Sequence, residues 1–384
     1  MTASAALLLP LALLLPSATA ELVFVAALWR HGDRAPSRLP YPNDANNETA
    51  WPRGWNQLTN EGMQQTFALG EWLKDRYMSG KPPHIKSVFN KDEVYVRSTD
   101  SERAITSAQT VMAGLFYPPS ELVWKTSFMW QPTPIHTNGE GDDPLLKPTS
   151  IKCPKYKDVA QGENNDLLQT LDKSYESMYK TLQENSGLAQ VNSSNADDFY
   201  NIVREKLHKL PQPEWVTDDL VAKITEYKRL VRVAEFNSAQ KSRFRGGYLL
   251  GDWLRRINAA ATGAKGAMRT VLYSAHDGTV SAIMHAMQVA NDQLIPYAAC
   301  FIAELHRTGD KHTIKLFYKN DTTSTAAVPL TVPSCATDCP LEEFNKIYSP
   351  IAIQTTEELE QICSLSASTS LMAMILLAFF LSNN

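Results

Sequence analysis

Three short apolar runs in the chain each end abruptly on charged or imidazole side chains. Leu22 to Trp29 carries no polar residue and stops at Arg30-His31-Gly32-Asp33-Arg34-Ala35-Pro36. Arg269 to Ala275 reads Arg-Thr-Val-Leu-Tyr-Ser-Ala and gives way to His276-Asp277-Gly278-Thr279, after which Val280 to Val289 has helical spacing. Glu93 to Val96 leads into Arg97 and then Ser98-Thr99-Asp100-Ser101, whose hydroxyl and carboxylate groups suit the cap of a helix running through Thr110. Runs of this kind predict short buried strands. The alternation of strand and helix occupies residues 21–130 and 240–353, which predicts one α/β catalytic domain assembled from two stretches of chain. Between them, in residues 131–239, Asp166 to Gln183, Asp197 to Leu210 and Thr217 to Ala234 have helix-like apolar spacing with proline-rich breaks, a mainly helical cap inserted over the sheet.

In open α/β sheets ligands bind beyond the carboxyl ends of the strands, so the three junctions are expected to converge on one pocket. Arg30, Arg34 and Arg97 offer forked donors that match phosphate oxygens, and His276 adds a donor when protonated. His31 is the candidate nucleophile, kept neutral by repulsion from Arg30 and Arg34. Asp277 is the candidate general acid and also suits the N-cap of the helix near Thr279. Asp33, so close to Arg34 and His31, reads as an orienting partner. His136 and His285 read as structural or pocket residues, the latter on a helix face. Trp130, His136 and Trp215 read as packing groups, with lining of a leaving-group pocket the alternative.

Charge and composition narrow the classes. The 384 residues carry 41 acidic and 37 basic side chains, interspersed, for a net charge of -4. No basic stripe marks a nucleic-acid partner, so any anion specificity must be local. Ala5 to Pro16 is an almost unbroken Leu/Ala run before Ser17-Ala18-Thr19-Ala20, and residues 1–20 are expected to be a signal peptide. Asn47, Asn192 and Asn320 head glycosylation sequons, which fits export. Leu371 to Leu381 is a second apolar run, short for a bilayer and preceded by the small residues Ser364 to Ser370. Residues 364–384 thus form a hydrophobic tail that is a candidate lipid-anchor signal contacting a membrane surface; an uncleaved tail and plain secretion stay open. Of the five cysteines, Cys335 and Cys339 are close enough to bridge locally. No Cys-x-x-Cys pair and no clustered Asp/His set at metal spacing occurs, so no cofactor and no metal is expected.

Arg30-His31-Gly32 with Arg34 and Pro36, Tyr95 to Asp100, and Ser274-Ala275-His276-Asp277 together resemble the signature segments of the histidine acid phosphatases of prostatic and lysosomal type. The likeness extends through Gly54 to Gly70, Trp130-Gln131-Pro132 to His136-Thr137, and Cys335 to Cys363, nearly the whole chain between its hydrophobic ends. The resemblance implies a phosphoglycerate-mutase-like sheet flanked by helices, and cleavage of small-molecule or peptide phosphomonoesters through a phosphohistidine on His31 with Asp277 as proton donor. It also implies a Cys153–Cys363 bridge. The family's third bridge would use Cys300, but its partner is missing from Asp198 to His208, so Cys300 is expected to be a buried free thiol. Such relatives are often homodimers. The lysosomal ones carry a spanning helix and a cytoplasmic tail that this sequence lacks, so the expected location is the secretory pathway, extracellular or surface-anchored rather than lysosomal. Three alternatives rank behind. A phosphoglycerate-mutase-type phosphotransferase uses a glutamate as acid, a phytase often has Ala-Glu after the second histidine, and a non-catalytic anion-binding protein would have lost His31 or Asp277.

Overall fold

The computed structural model describes residues 20–364. The expected signal peptide, apart from Ala20, and the expected tail, apart from Ser364, lie outside them. Seven strands form one mixed sheet: β1 Glu21–Arg30, β2 Val94–Ser98, β3 Thr270–Ala275, β4 Cys300–Thr308, β5 Lys311–Lys319, β6 Val328–Leu330 and β7 Cys339–Pro340. Their order is β2-β3-β1-β4-β5-β6, with β7 also on β5. β1, β2 and β3 run parallel, and the strands from β4 onward are antiparallel.

Ten helices accompany the sheet: α1 Asn60–Met78, α2 Glu102–Leu115, α3 Pro154–Ser174, α4 Glu176–Ser186, α5 Tyr200–Leu207, α6 Asp218–Ala234, α7 Ala239–Ala261, α8 Asp277–Ala286, α9 Leu341–Tyr348 and α10 Thr356–Cys363. The unbroken apolar run of β1 follows from burial on both faces. Phe24, Ala26 and Leu28 meet residues of α7 and α8, while Val25, Ala27 and Trp29 meet α1 and α2. This is the α/β, phosphoglycerate-mutase-like architecture expected, with helices on both sides of the sheet.

Between the two halves of the sheet, α3 to α6 gather around their own core of Tyr179, Leu182, Phe199, Ile202, Ile224 and Tyr227. The helix expected over Asp166 to Gln183 is two helices, because Tyr175 leaves helical geometry (φ -109°, ψ 13°). Over Asp197 to Leu210 the chain makes a short 3-10 turn before α5, which stops ahead of Lys209 at φ +55°. β2 continues to Ser98, two residues further than the pattern indicated, so Arg97 lies inside the strand. Disulfides join Cys153 to Cys363 and Cys335 to Cys339, and Cys300 is a buried free thiol.

The start of α1 sits directly on the loop that follows β1. Thr59 caps it by accepting from the Gly62 amide at 3.0 Å. A β-carbon on Gly62 would lie 2.1 Å from the Asp33 carbonyl oxygen, and one on Gly32 would lie 2.2 Å from that of Gly62. Both positions therefore exclude larger residues by backbone contact. Gly62→Ala is expected to cost about 1–3 kcal/mol of stability through overpacking. Denaturant unfolding checks this, and wild-type stability in the variant would mean that the loop yields freely.

Candidate active site

The parallel register Arg30↔Ala275 brings the ends of β1 and β3 level, and the His31 amide donates to the Ala275 carbonyl at 3.0 Å. The His31 and His276 rings consequently stand 5.5 Å apart, edge to face. His31 is buried, and its Nδ1 lies 2.7 Å from the Gly32 carbonyl oxygen. A carbonyl only accepts, so Nδ1 carries the proton and Nε2 keeps its lone pair. Burial, then the charges of Arg30 and Arg103, hold the ring well below the ordinary histidine pKa, so it is neutral in acid. His276 Nε2 lies 3.0 Å from the Thr99 hydroxyl, which orients the ring. Burial and Arg103 lower its pKa to about 3, which favours the neutral ring.

Arg30 donates to the Ile295 carbonyl and lies 3.9 Å over the Tyr297 ring. Arg34 donates to the Ala35 carbonyl at 2.7 Å; burial and the charge of Arg204 lower its pKa to about 9. The third guanidinium of this cluster belongs to Arg103, in the first turn of α2, and its Nε is buried with no hydrogen-bond partner. Arg97 is a correction. Its Nη2 is 2.8 Å from the buried carboxylate of Asp143, which also accepts from the Leu145 and Leu146 amides. Strand alternation turns Arg97 to the face of Tyr95, away from Val96 and Ser98, and Asp143 absorbs its charge. β2 ends at Ser98 rather than at Val96, so Arg97 is a residue of the strand, and the helix after it carries Arg103.

Asp277 opens α8, and its Oδ2 accepts from Arg232 Nε at 3.0 Å, a brace that sequence reasoning missed. Burial alone would raise the carboxyl's pKa, but the charges of Arg232 and Arg30 outweigh it and hold the group well below the usual carboxylate range. Arg232 also grips Glu235 through two hydrogen bonds of 2.8 Å. Asp33 is a second correction. Its carboxylate accepts from Thr59 Oγ1 and meets His208 Nε2, each at 2.6 Å, so it fastens α1 and the segment after α5 rather than orienting His31 or Arg34. Trp215 packs at 5.4 Å on Tyr41 in the cap core, Trp130 joins Trp124 and Phe128, and His136 stacks at 5.1 Å on Tyr95. His285, on α8, meets Asp292 at 3.3 Å. The aromatic rings beside the guanidinium groups are instead Tyr297, 6.0 Å from His31, and Tyr200. Among the described residues no three His, Cys, Asp or Glu side chains gather as metal ligands.

A buried neutral histidine ringed by guanidinium groups at the mouth of a parallel sheet defines a phosphoryl-transfer class of site. The chain belongs to the histidine phosphatase superfamily, branch 2, whose family profile matches residues 21–319. It is 34% identical to the lysosomal acid phosphatase of Xenopus laevis over 88% of this chain and 78% of that one. It is 35% identical to the prostatic acid phosphatase of Rattus norvegicus, over 88% and 89%. In fold it resembles the apo phytase of Hafnia alvei, with a TM-score of 0.67 at 15% identity over 92% of this chain and all of that one.

The two arginines should separate by experiment. Arg103→Ala is expected to weaken inorganic phosphate binding at least about 10-fold, the worth of a charged hydrogen bond, with little change in melting temperature. Arg97→Ala strands a buried carboxylate, so it should cost about 3–5 kcal/mol of stability while phosphate affinity stays near that of the wild type. Calorimetric titration and thermal melts read both, and the reverse pattern would return Arg97 to the site. His276 adds a pH dependence. Unfolded, the ring binds a proton below about pH 6.5, but folded only near pH 3. Its contribution to stability therefore falls as the medium acidifies through that window. The melting temperature should drop between these limits less steeply in His276→Asn, and an equal drop would exclude the ring as a cause.

Proposed function

We propose that the chain hydrolyses phosphate monoesters by double displacement, with His31 forming a phosphohistidine and Asp277 serving as proton donor. It is a phosphoric monoester hydrolase of the acid phosphatase kind. The observation that carries the two-step reading is His31 itself, with Nδ1 tied to the Gly32 carbonyl and Nε2 free among Arg30, Arg34 and Arg103. Those guanidinium groups would hold the three non-bridging oxygens and spread the charge of the transition state, as a metal does elsewhere. Nε2 attacks phosphorus while the ester oxygen leaves opposite, and water then cleaves the phosphohistidine.

The leaving oxygen needs a proton, yet the charges of Arg232 and Arg30 favour the carboxylate form of Asp277. A bound phosphoryl dianion draws on Arg30 and adds negative charge beside the carboxylate. Both effects raise its proton affinity, and an acidic medium then supplies the proton. After transfer, the Asp277 carboxylate is placed to accept a proton from the attacking water.

We read the chain as a protein of the secretory pathway, secreted or held at a surface. The leader pattern, the two disulfides and the sequons at exposed Asn47 and Asn320 support this. Asn192, the third acceptor, is partly buried, with its side-chain oxygen on the Ser194 amide. Among the described residues no helix is long and apolar enough to cross a membrane.

His31→Ala is expected to form no phosphoenzyme and to lose nearly all turnover. Asp277→Asn should still bind inorganic phosphate, and should slow alkyl phosphates about 100-fold or more while sparing p-nitrophenyl phosphate, whose leaving oxygen hardly needs a proton. Quench of labelled substrate under non-acidic conditions, with peptide mapping, reads the first. Label on another residue, or equal slowing of good and poor leaving groups, would overturn the assignment.

A further inference from the structure

Arg204 lies on α5, in the cap, and is not needed for phosphoryl transfer as described above. Its Nε donates to the Tyr297 hydroxyl at 2.8 Å, its Nη1 donates to Asn201 Oδ1, and its guanidinium stands 5.4 Å from the Tyr200 ring centre. The face of Tyr297 meets Arg30 at 3.9 Å. One tyrosine ring thus separates Arg204 from the phosphoryl clamp.

Several neighbouring cations of α5 and α6 have carboxylate partners: Lys206 pairs with Asp218, Lys228 with Asp197, Arg229 with Glu226 and Arg232 with Glu235. Among the described residues, Arg204 has none. Asp277, the acid whose field reaches it, is engaged by Arg232. A half-buried charge without a counter-ion is costly to keep. The field of Arg204 lowers the pKa values of both Arg34 and Arg103, while Tyr297, Tyr200 and Asp277 outweigh burial and raise its own. A phosphoryl group brings at most about two negative charges. Arg30, Arg34, Arg103 and Arg204 together exceed that. A cavity of about 320 Å³ opens at the same place, walled by Tyr200, Val203, Leu207, Val221 and Tyr297 around Arg204, with Lys206, already paired with Asp218, at its edge. Its walls suit the carbon body of a leaving group, and its cation suits an anion at the far end.

We propose that Arg204 forms a second anion subsite beside the phosphoryl clamp, so that the enzyme favours phosphomonoesters whose alcohol part carries its own carboxylate or phosphate. The proposal rests on the phosphatase reading and adds a substrate class to it.

Kinetics on matched esters test it: meta- and para-carboxyphenyl phosphate against their neutral carbamoylphenyl counterparts, at about pH 6, where the carboxylate is ionised. The ratio of kcat/KM for charged over neutral ester, compared between wild type and variant, cancels the difference in leaving group. That ratio should fall about 10- to 100-fold in Arg204→Ala, the span of a charge-assisted hydrogen bond. Arg204→Gln, which keeps a donor for Tyr297, should lose it equally and serves if the alanine variant does not fold. Arg204→Lys, which keeps the charge, should retain part of the preference. Hydrolysis of all the esters with the same ratio in every variant would overturn the subsite alone. No hydrolysis of any ester by the wild type would overturn the phosphatase reading and the subsite with it.

Discussion

The site depends on the parallel pairing of β1 with β3. Because Arg30 lies opposite Ala275, the residue after each strand becomes an imidazole, and the two rings meet across a single ladder of backbone hydrogen bonds. A slip of one residue would turn every side chain of β1 to the other face of the sheet. That slip is opposed by Phe24, Ala26 and Leu28 on one side and Val25, Ala27 and Trp29 on the other, all buried. The stability of the core and the placing of His31 are thus the same constraint.

Such a concentration of positive charge would be unfavourable in an apolar interior, and the structure limits it in distinct ways. His31 and His276 remain neutral, which removes two further charges from the cluster. Arg30 and Arg34 donate to backbone carbonyls, whose dipoles partly offset the guanidinium charge. Arg232 is given two carboxylates, Glu235 and Asp277, and becomes a brace rather than a free anion donor. The guanidinium groups of Arg30, Arg34 and Arg103 are left without carboxylate partners among the described residues, so their charges converge on the ring of His31.

The cap contributes more than cover. α6 delivers Arg232 to Asp277, and the segment after α5 delivers His208 to the buried carboxylate of Asp33. Behind α5, Glu205 is buried beside Asn46 and Gln212, and burial raises its pKa to about 7. These polar contacts hold the cap to the loop after β1, so the position of α5 and the geometry around His31 are mechanically linked.

The apolar runs of β1 and β3 and the residues that end them were legible in the chain, because a strand buried on both faces and then broken by His-Gly or His-Asp leaves a local pattern. His31, His276, Asp277, Arg30 and Arg34 were candidates for that reason, and the structure brings them together. The surroundings of Arg97, Arg204, Arg232 and Asp33 were not legible, because each is decided by a partner remote in sequence: Asp143 for Arg97, Tyr297 for Arg204, Asp277 for Arg232 and His208 for Asp33; Arg103 stands out only by its nearness to His31 and His276. A guanidinium reads alike in sequence whether a buried carboxylate neutralises it, as for Arg97, or none does, as for Arg103 among the described residues. Local pattern determines which segments become strands and where they stop; only packing of the cap against the sheet decides which charges are left free.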